Sequence, residues 1–216
     1  MATCKPIGVD LDAVIAIQVS LPDSGVVEEG DTIVPQARAL NGYGDSVAAE
    51  IVWATADTAT LQMLDSASGA TVGRRPPSGR LQARVGSLRS PLLTVTVRPQ
   101  ADTLSATGAL RRTVVAPDSQ SDGLEVRLED LTTGTAPAGL ANRPVTFTLT
   151  YPAGGGAFTL LPGDTVLTGT GGVASVQVRL VSRALPDSAV VEARAVRANG
   201  QTVPGSPVTF VVEFQP

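Results

Sequence analysis

Carboxylates are the side chains in this chain whose spacing most suggests chemistry. Asp118 and Asp122, followed by Gly123, sit in a polar segment and would offer oxygen ligands to calcium. Calcium takes six or more oxygens, so two carboxylates make a weak candidate and a solvated turn explains them as well. Glu28, Glu29 and Asp31, and also Asp10 with Asp12, invite the same reading, and a charged face near a turn accounts for them too. Paired carboxylates also hydrolyse glycosidic bonds, given a cleft with aromatic rings to stack a sugar and one carboxyl of raised pKa. Two tyrosines and one tryptophan leave little to stack. The sequence has no histidine, the commonest general base and metal ligand, so no set of nucleophile, base and orienting group can be assembled. The reading is a protein that is not an enzyme, with no catalytic residue, no cofactor and no dedicated metal site.

The cations point to contact rather than reaction. Arg74 and Arg75, beside Pro76 and Pro77, would dock an acidic partner or touch lipid headgroups as a peripheral membrane contact, although a plain tolerated surface loop is the reading the residues favour. Lys5 is the single lysine, and Cys4, the single cysteine, excludes an intrachain disulfide or a thiolate metal site. Ala2-Thr3-Cys4 faintly resembles the small residues ahead of a lipoprotein cysteine, without the apolar stretch such a signal needs. Cys4 and Lys5 are therefore interaction candidates within an ordinary N-terminal arm. A net charge of −4 makes nucleic acid a poor partner. The longest apolar run, Ala13 to Ile17, is far short of the ~20 residues a bilayer requires.

The elements that must carry these residues are strands. With 43% hydrophobic residues, 17% charged and 3% aromatic, cores must be built mainly from Val, Leu, Ile and Ala, while 22 Gly and 16 Pro supply turns. Ile51 and Trp53 point one way and Val52 and Ala54 the other, and Leu61 and Met63 repeat the period of two. Asp65, Ser66, Ser68 and Gly69 then form a turn before Val72, which predicts three consecutive antiparallel segments wrapped around the indole. Further strands are predicted over 14–21 with Ile15, Ile17, Val19 and Leu21 on one side, over 33–40, over 47–54, over 81–85 and over 92–97. Glu28 to Asp31 reads as an acidic turn, Asn41 to Asp45 as a glycine-rich one and Arg74 to Gly79 as a stiff basic loop.

Arg98-Pro99-Gln100 reads as a linker. Beyond it, 101–115 gives one or two strands, and 124–129, 139–149, 173–180, 189–196 and 208–214 each alternate with period two. The expected organisation is an N-terminal arm over 1–8 and two β-sandwiches over 9–98 and 101–216. Their cores are expected to centre on Trp53 in the first and on Phe147 and Phe210 in the second.

Gly30-x-Thr32, the Asn41-Gly42 turn, Val52-Trp53-x-Thr55-x-Asp57, and Asp65 leading through Gly69 to Val72-Gly73 resemble the group 2 bacterial immunoglobulin-like repeats. The likeness covers most of 10–98, and the Arg74–Ser78 loop looks longer than that family usually has. The second half resembles the invasin and intimin type of repeat, through Gly139 to Phe147 and Thr168 to Ala174, over roughly 102–214. The two resemblances imply an all-β fold of two tandem immunoglobulin-like antiparallel β-sandwiches, and they supply no catalytic residue. They also imply a periplasmic or cell-surface location, since members serve in adhesins, surface layers and other envelope proteins.

Two roles compete: a structural subunit bracing other protein subunits of an envelope or membrane-bound assembly, and an adhesin stalk or cell-surface binding module. A stalk usually has many repeats, an anchor and a tip. Two domains with no anchor beyond the doubtful Cys4 favour the bracing subunit.

Overall fold

The computed structural model describes residues 10–132, 136–154, 156–182 and 187–216. The N-terminal arm, with Cys4 and Lys5, lies outside the described residues. The chain divides into two compact units between Arg98 and Pro99. Both are all-β, and the one helical element among the described residues is a 3-10 turn over Asp23–Gly25.

In unit 1, β1 (Ala16–Ser20), β2 (Val26–Glu28), β3 (Thr32–Ile33), β4 (Gln36–Leu40) and β5 (Ser46–Val47) come first. They are followed by β6 (Val52–Thr55), β7 (Leu61–Met63), β8 (Thr71–Gly73), β9 (Ser78–Val85), β10 (Leu88–Arg89) and β11 (Leu93–Arg98). Two three-stranded sheets, β1-β4-β5 and β3-β8-β7, are linked by the chain running from β3 to β4; a five-stranded sheet sets β9 between β6 and β11, with β10 and β2 beside them. Ile17, Ile33, Trp53, Leu61, Leu81, Val95 and Val97 are buried among the residues of this core. Alternation is the cause: in β9, Leu81 and Ala83 are buried while Arg80 and Arg84 are exposed.

Several sequence expectations need correcting in unit 1. The strand expected over 33–40 is two, because Pro35 has no N–H to give a ladder; β3 before it pairs with β8 and β4 after it pairs with β1. The strand expected over 47–54 is likewise divided, β5 pairing with β4 and β6 crossing to β9. The tryptophan strand is therefore not the ladder neighbour of β7, although β7 and β8 do pair antiparallel. Ile15 does not join the inward row but is 56% exposed, one residue before β1 begins. The acidic turn starts late, since Glu28 ends β2 and is 1% exposed. The basic loop ends early, at Pro77, because β9 starts at Ser78.

Unit 2 contains β12 (Thr103–Ala106), β13 (Arg111–Val115), β14 (Leu124–Asp130), β15 (Ala138–Gly139) and β16 (Pro144–Tyr151). After these come β17 (Phe158–Leu161), β18 (Thr165–Leu167), β19 (Val173–Leu180), β20 (Ser188–Arg194) and β21 (Val208–Gln215). One sheet runs β12-β14-β19-β17 with β15 on β14, and the other β13-β21-β20-β16-β18. In chain order this is the A-B-E-D layer opposite the C-F-G layer of an immunoglobulin-like sandwich. In each unit an early strand crosses layers and runs alongside the last one, so β2 with β11 and β13 with β21 are parallel pairs in otherwise antiparallel sheets.

The core of unit 2 is the larger, with 23 buried hydrophobic residues against nine in unit 1 among the described residues. Phe147 and Phe210 are fully buried in it, and the rings of Phe158 and Phe214 stack obliquely, 5.3 Å between centroids. Strands β17 and β18 had no counterpart in the sequence reading, because Phe158-Thr159-Leu160-Leu161 breaks strict alternation and β18 is three residues long.

Candidate functional site

Asp118 and Asp122 are both exposed, and the turn between them is closed by protein groups. Ser121 is buried there: its hydroxyl accepts from Val178 N–H at 2.9 Å and donates to the Asp122 carbonyl at 2.8 Å. Among the described residues, no group of three or more acidic or cysteine side chains is placed to hold a metal ion. An open depression on β14 and β19 is lined by Glu125, Ser175 and Gln177, and brings one carboxylate to that face.

Arg74 and Arg75 are exposed after β8, and Arg74 Nε donates to Gln62 Oε1 at 2.8 Å. Their backbone N–H groups both turn back to the Thr60 carbonyl, so the loop is tied to the sandwich at its base. Trp53 is 4% exposed and packs against the turn at Gly69, while its backbone N–H donates to the Ser66 carbonyl at 2.7 Å.

The carboxylates with displaced titration are structural. Asp57 receives a fork from Arg80, Nε to Oδ2 at 2.8 Å and Nη2 to Oδ1 at 2.9 Å, plus the Arg80 backbone N–H. The guanidinium bonds hold the Asp57 carboxyl below its usual range against a smaller opposing effect of desolvation, and they raise Arg80 in turn. Asp65 is also lowered, first by the Ser68 hydroxyl and then by the Ala67 and Ser68 N–H groups that it caps in the turn.

Both folded carboxyls lie below their unfolded value of about 3.9, so their contribution is fully present above that pH and is lost as pH falls through the depressed folded values. The melting temperature of unit 1 should therefore drop below about pH 4. Asp57→Asn should lower it already at neutral pH and flatten the acid limb. Thermal melts from neutral to acid pH check this, and parallel profiles for parent and variant would show that the fork contributes nothing.

A polar group that the sequence reading missed anchors the start of unit 2. Arg143, only 8% exposed, donates through Nη2 to the Pro99 carbonyl at 2.7 Å. Arg197 Nε donates to the Ala101 carbonyl at 2.9 Å and lies 3.5 Å from Asp102, whose other oxygen accepts Leu131 N–H at 2.9 Å. The segment read as a short linker is held to unit 2 through the Pro99 and Ala101 carbonyls. Sequence spacing could not show this, because the bonds join residues 44 and 96 positions apart.

The outer face of each C-F-G layer carries a mixture of polar and apolar side chains. In unit 2 that face carries Tyr151, Val190 and Val211 on one rung, with Thr148, Glu192 and Thr209 on another. Arg111 and Arg194 are each bound by a glutamate of the same face, Glu213 at 3.1 Å and Glu192 at 2.8 Å. In unit 1 the matching face carries Arg80, Gln82 and Arg84 of β9, Val52 and Ala54 of β6, and Thr94 of β11.

The chain resembles tandem bacterial immunoglobulin-like domains. No family model matches the sequence, and no curated protein does. Among solved structures, domains 4 and 5 of the S-layer protein SbsC are 13% identical, with 94% of this chain and 99% of that one covered and a TM-score of 0.36. The Yersinia pseudotuberculosis adhesin InvE is 18% identical at a TM-score of 0.40, and 91% of this chain spans 58% of that one. The D00-D0 domain of intimin is 19% identical at 0.32, over 90% of this chain and 98% of that one. At these identities and scores the likeness carries no conclusion about activity, and the immunoglobulin-like description rests on the strand order of the two units.

Proposed function

We propose that this chain is a non-enzymatic structural module that acts outside the cytoplasm and braces other protein subunits of an envelope or membrane-associated assembly. The observation that supports it is where the polar chemistry goes. Asp57, Asp65, Ser121, Arg143 and Asp102 are all spent on stitching strands, turns and the start of unit 2, while broad sheet faces present threonine, valine and arginine outward. Exposed sheet faces of this kind serve protein contact, with main-chain pairing available at edge strands such as β18.

The test is purification of the native protein in mild detergent, with mass spectrometry of what accompanies it and fractionation of the source cells. Stoichiometric recovery with envelope or integral membrane proteins, outside the cytosol, supports the bracing role. A free monomer that binds host cells or glycans would replace it with the adhesin module, and a cytosolic location would refute both.

A further inference from the structure

Positive charge is segregated in unit 1. Between Asp65 and Asp102 the chain has Arg74, Arg75, Arg80, Arg84, Arg89 and Arg98 and no acidic residue. Burial of Leu81 and Ala83 turns Arg80, Gln82 and Arg84 to the outer face of β9. The hairpin register then sets Arg89 of β10 directly opposite Arg84, and Val52 of β6 lies on Arg84's other side.

Like charges directly opposite each other on an antiparallel pair repel, so this arrangement costs stability. Both side chains are exposed, and among the described residues neither meets a carboxylate; Arg89 reaches only Gln82 Oε1, at 3.4 Å. Arg80, on the same face, shows what a guanidinium takes here, since it grips Asp57 through two parallel bonds. The corresponding face of unit 2 neutralises Arg111 and Arg194 with its own glutamates. The same layer of the same fold is closed electrostatically in one unit and left open in the other.

We propose that the outer face of β9 and β10 in unit 1 docks a carboxylate-rich protein surface, with Arg84 and Arg89 each receiving a carboxylate in the fork geometry of Arg80. This rests on the reading of the chain as a protein-contact module and names the chemistry of one partner. Two open cations suit a protein better than a membrane. Lipid attraction is weak per cation and needs a cluster of about four to eight, whereas charge-assisted bidentate bonds are directional and strong singly.

The test uses the full chain with poly-L-glutamate as probe and, separately, phosphatidylglycerol vesicles. Because the chain's net charge is −4, attraction to a polyanion must come from a local face. The parent should bind polyglutamate at low salt and release it as salt shortens the Debye length. Arg84→Gln with Arg89→Gln should weaken binding about tenfold or more, while Arg111→Gln with Arg194→Gln leaves it unchanged. The first double variant should also melt at or above the parent's temperature, since it removes a repulsion, so lost binding cannot be ascribed to unfolding. Equal binding by parent and the Arg84/Arg89 variant, or no binding by the parent at low salt, overturns the proposal. So does binding confined to the vesicles, which would assign the face to a membrane. Failure here alongside stoichiometric recovery of the native protein with envelope subunits would reject this face and leave the bracing role standing.

Discussion

Gly172→Ala should unfold or severely destabilise unit 2, by on the order of 3–5 kcal/mol, combining left-handed backbone strain with overpacking against fixed backbone. Gly172 has φ of +77°, a region that L side chains rarely adopt. A methyl group there would stand 2.7 Å from Gly139 Cα and 2.7 Å from Leu140 N, and would press on the Leu128 carbonyl. None of these is the flexible end of a side chain. The same carbonyl accepts Leu140 N–H at 2.9 Å, and Gly172's own carbonyl accepts Leu128 N–H at 2.9 Å, so a shift that admits the methyl breaks the stitching of β14 to the turn before β19. Gly171 is the control: a methyl on it meets nothing within 4 Å, so Gly171→Ala should stay within about 0.5 kcal/mol of the parent. Urea unfolding of the two variants, read by circular dichroism, decides the matter. Equal midpoints would mean that the turn yields to accommodate the methyl.

Trp53→Ala should cost unit 1 about 3–5 kcal/mol, the range for deleting a buried aromatic, out of a total stability that is ordinarily ~5–15 kcal/mol. The indole is 4% exposed, and the turn it holds comes close: at Gly69, with φ of +79°, a methyl would lie 2.8 Å from Trp53 Cδ1 and 2.7 Å from Pro35 Cγ. Pro35, Trp53 and Gly69 thus form one packed corner. The nine buried hydrophobic residues of this core sit close-packed, so removing its largest side chain leaves a cavity that they fill only in part. The loss should lower the first melting transition by about 12 °C or more, while the transition of unit 2, whose core shares no residue with it, stays where it was. A single unchanged melt would show that the corner collapses around the smaller side chain.

Burial of the three aromatics and the order of the β-strands are connected to the sequence in different degrees. The row Leu124, Val126, Leu128 against Glu125, Arg127, Glu129 determines β14 and its buried side without help, because a period of two leaves one face apolar whatever the strand pairs with. Strand β19, Val173–Leu180, is legible for the same reason. Gly139 and Gly172 stand out as residue types, but only packing shows that they face one another across the β14 edge.

Pairing is what the sequence alone left open. A strand's alternation says which residues point inward and nothing about its neighbours, so the break at Pro35, the crossing from β5 to β6 and the parallel pairs β2 with β11 and β13 with β21 were decided only in the folded chain. Glu28, read as part of a charged face near a turn, is 1% exposed at the end of β2, because burial of a carboxylate depends on what covers it and not on the residues beside it in sequence. The basic face belongs to the same class. The six arginines between Asp65 and Asp102 are visible in the sequence, yet only the register that sets Arg84 opposite Arg89, and the fork that removes Arg80 and Asp57 from the count, determines which charges remain for a partner. Local side-chain pattern is a property of one strand, whereas register and neutralisation are properties of pairs, and pairs distant in sequence are fixed by tertiary structure.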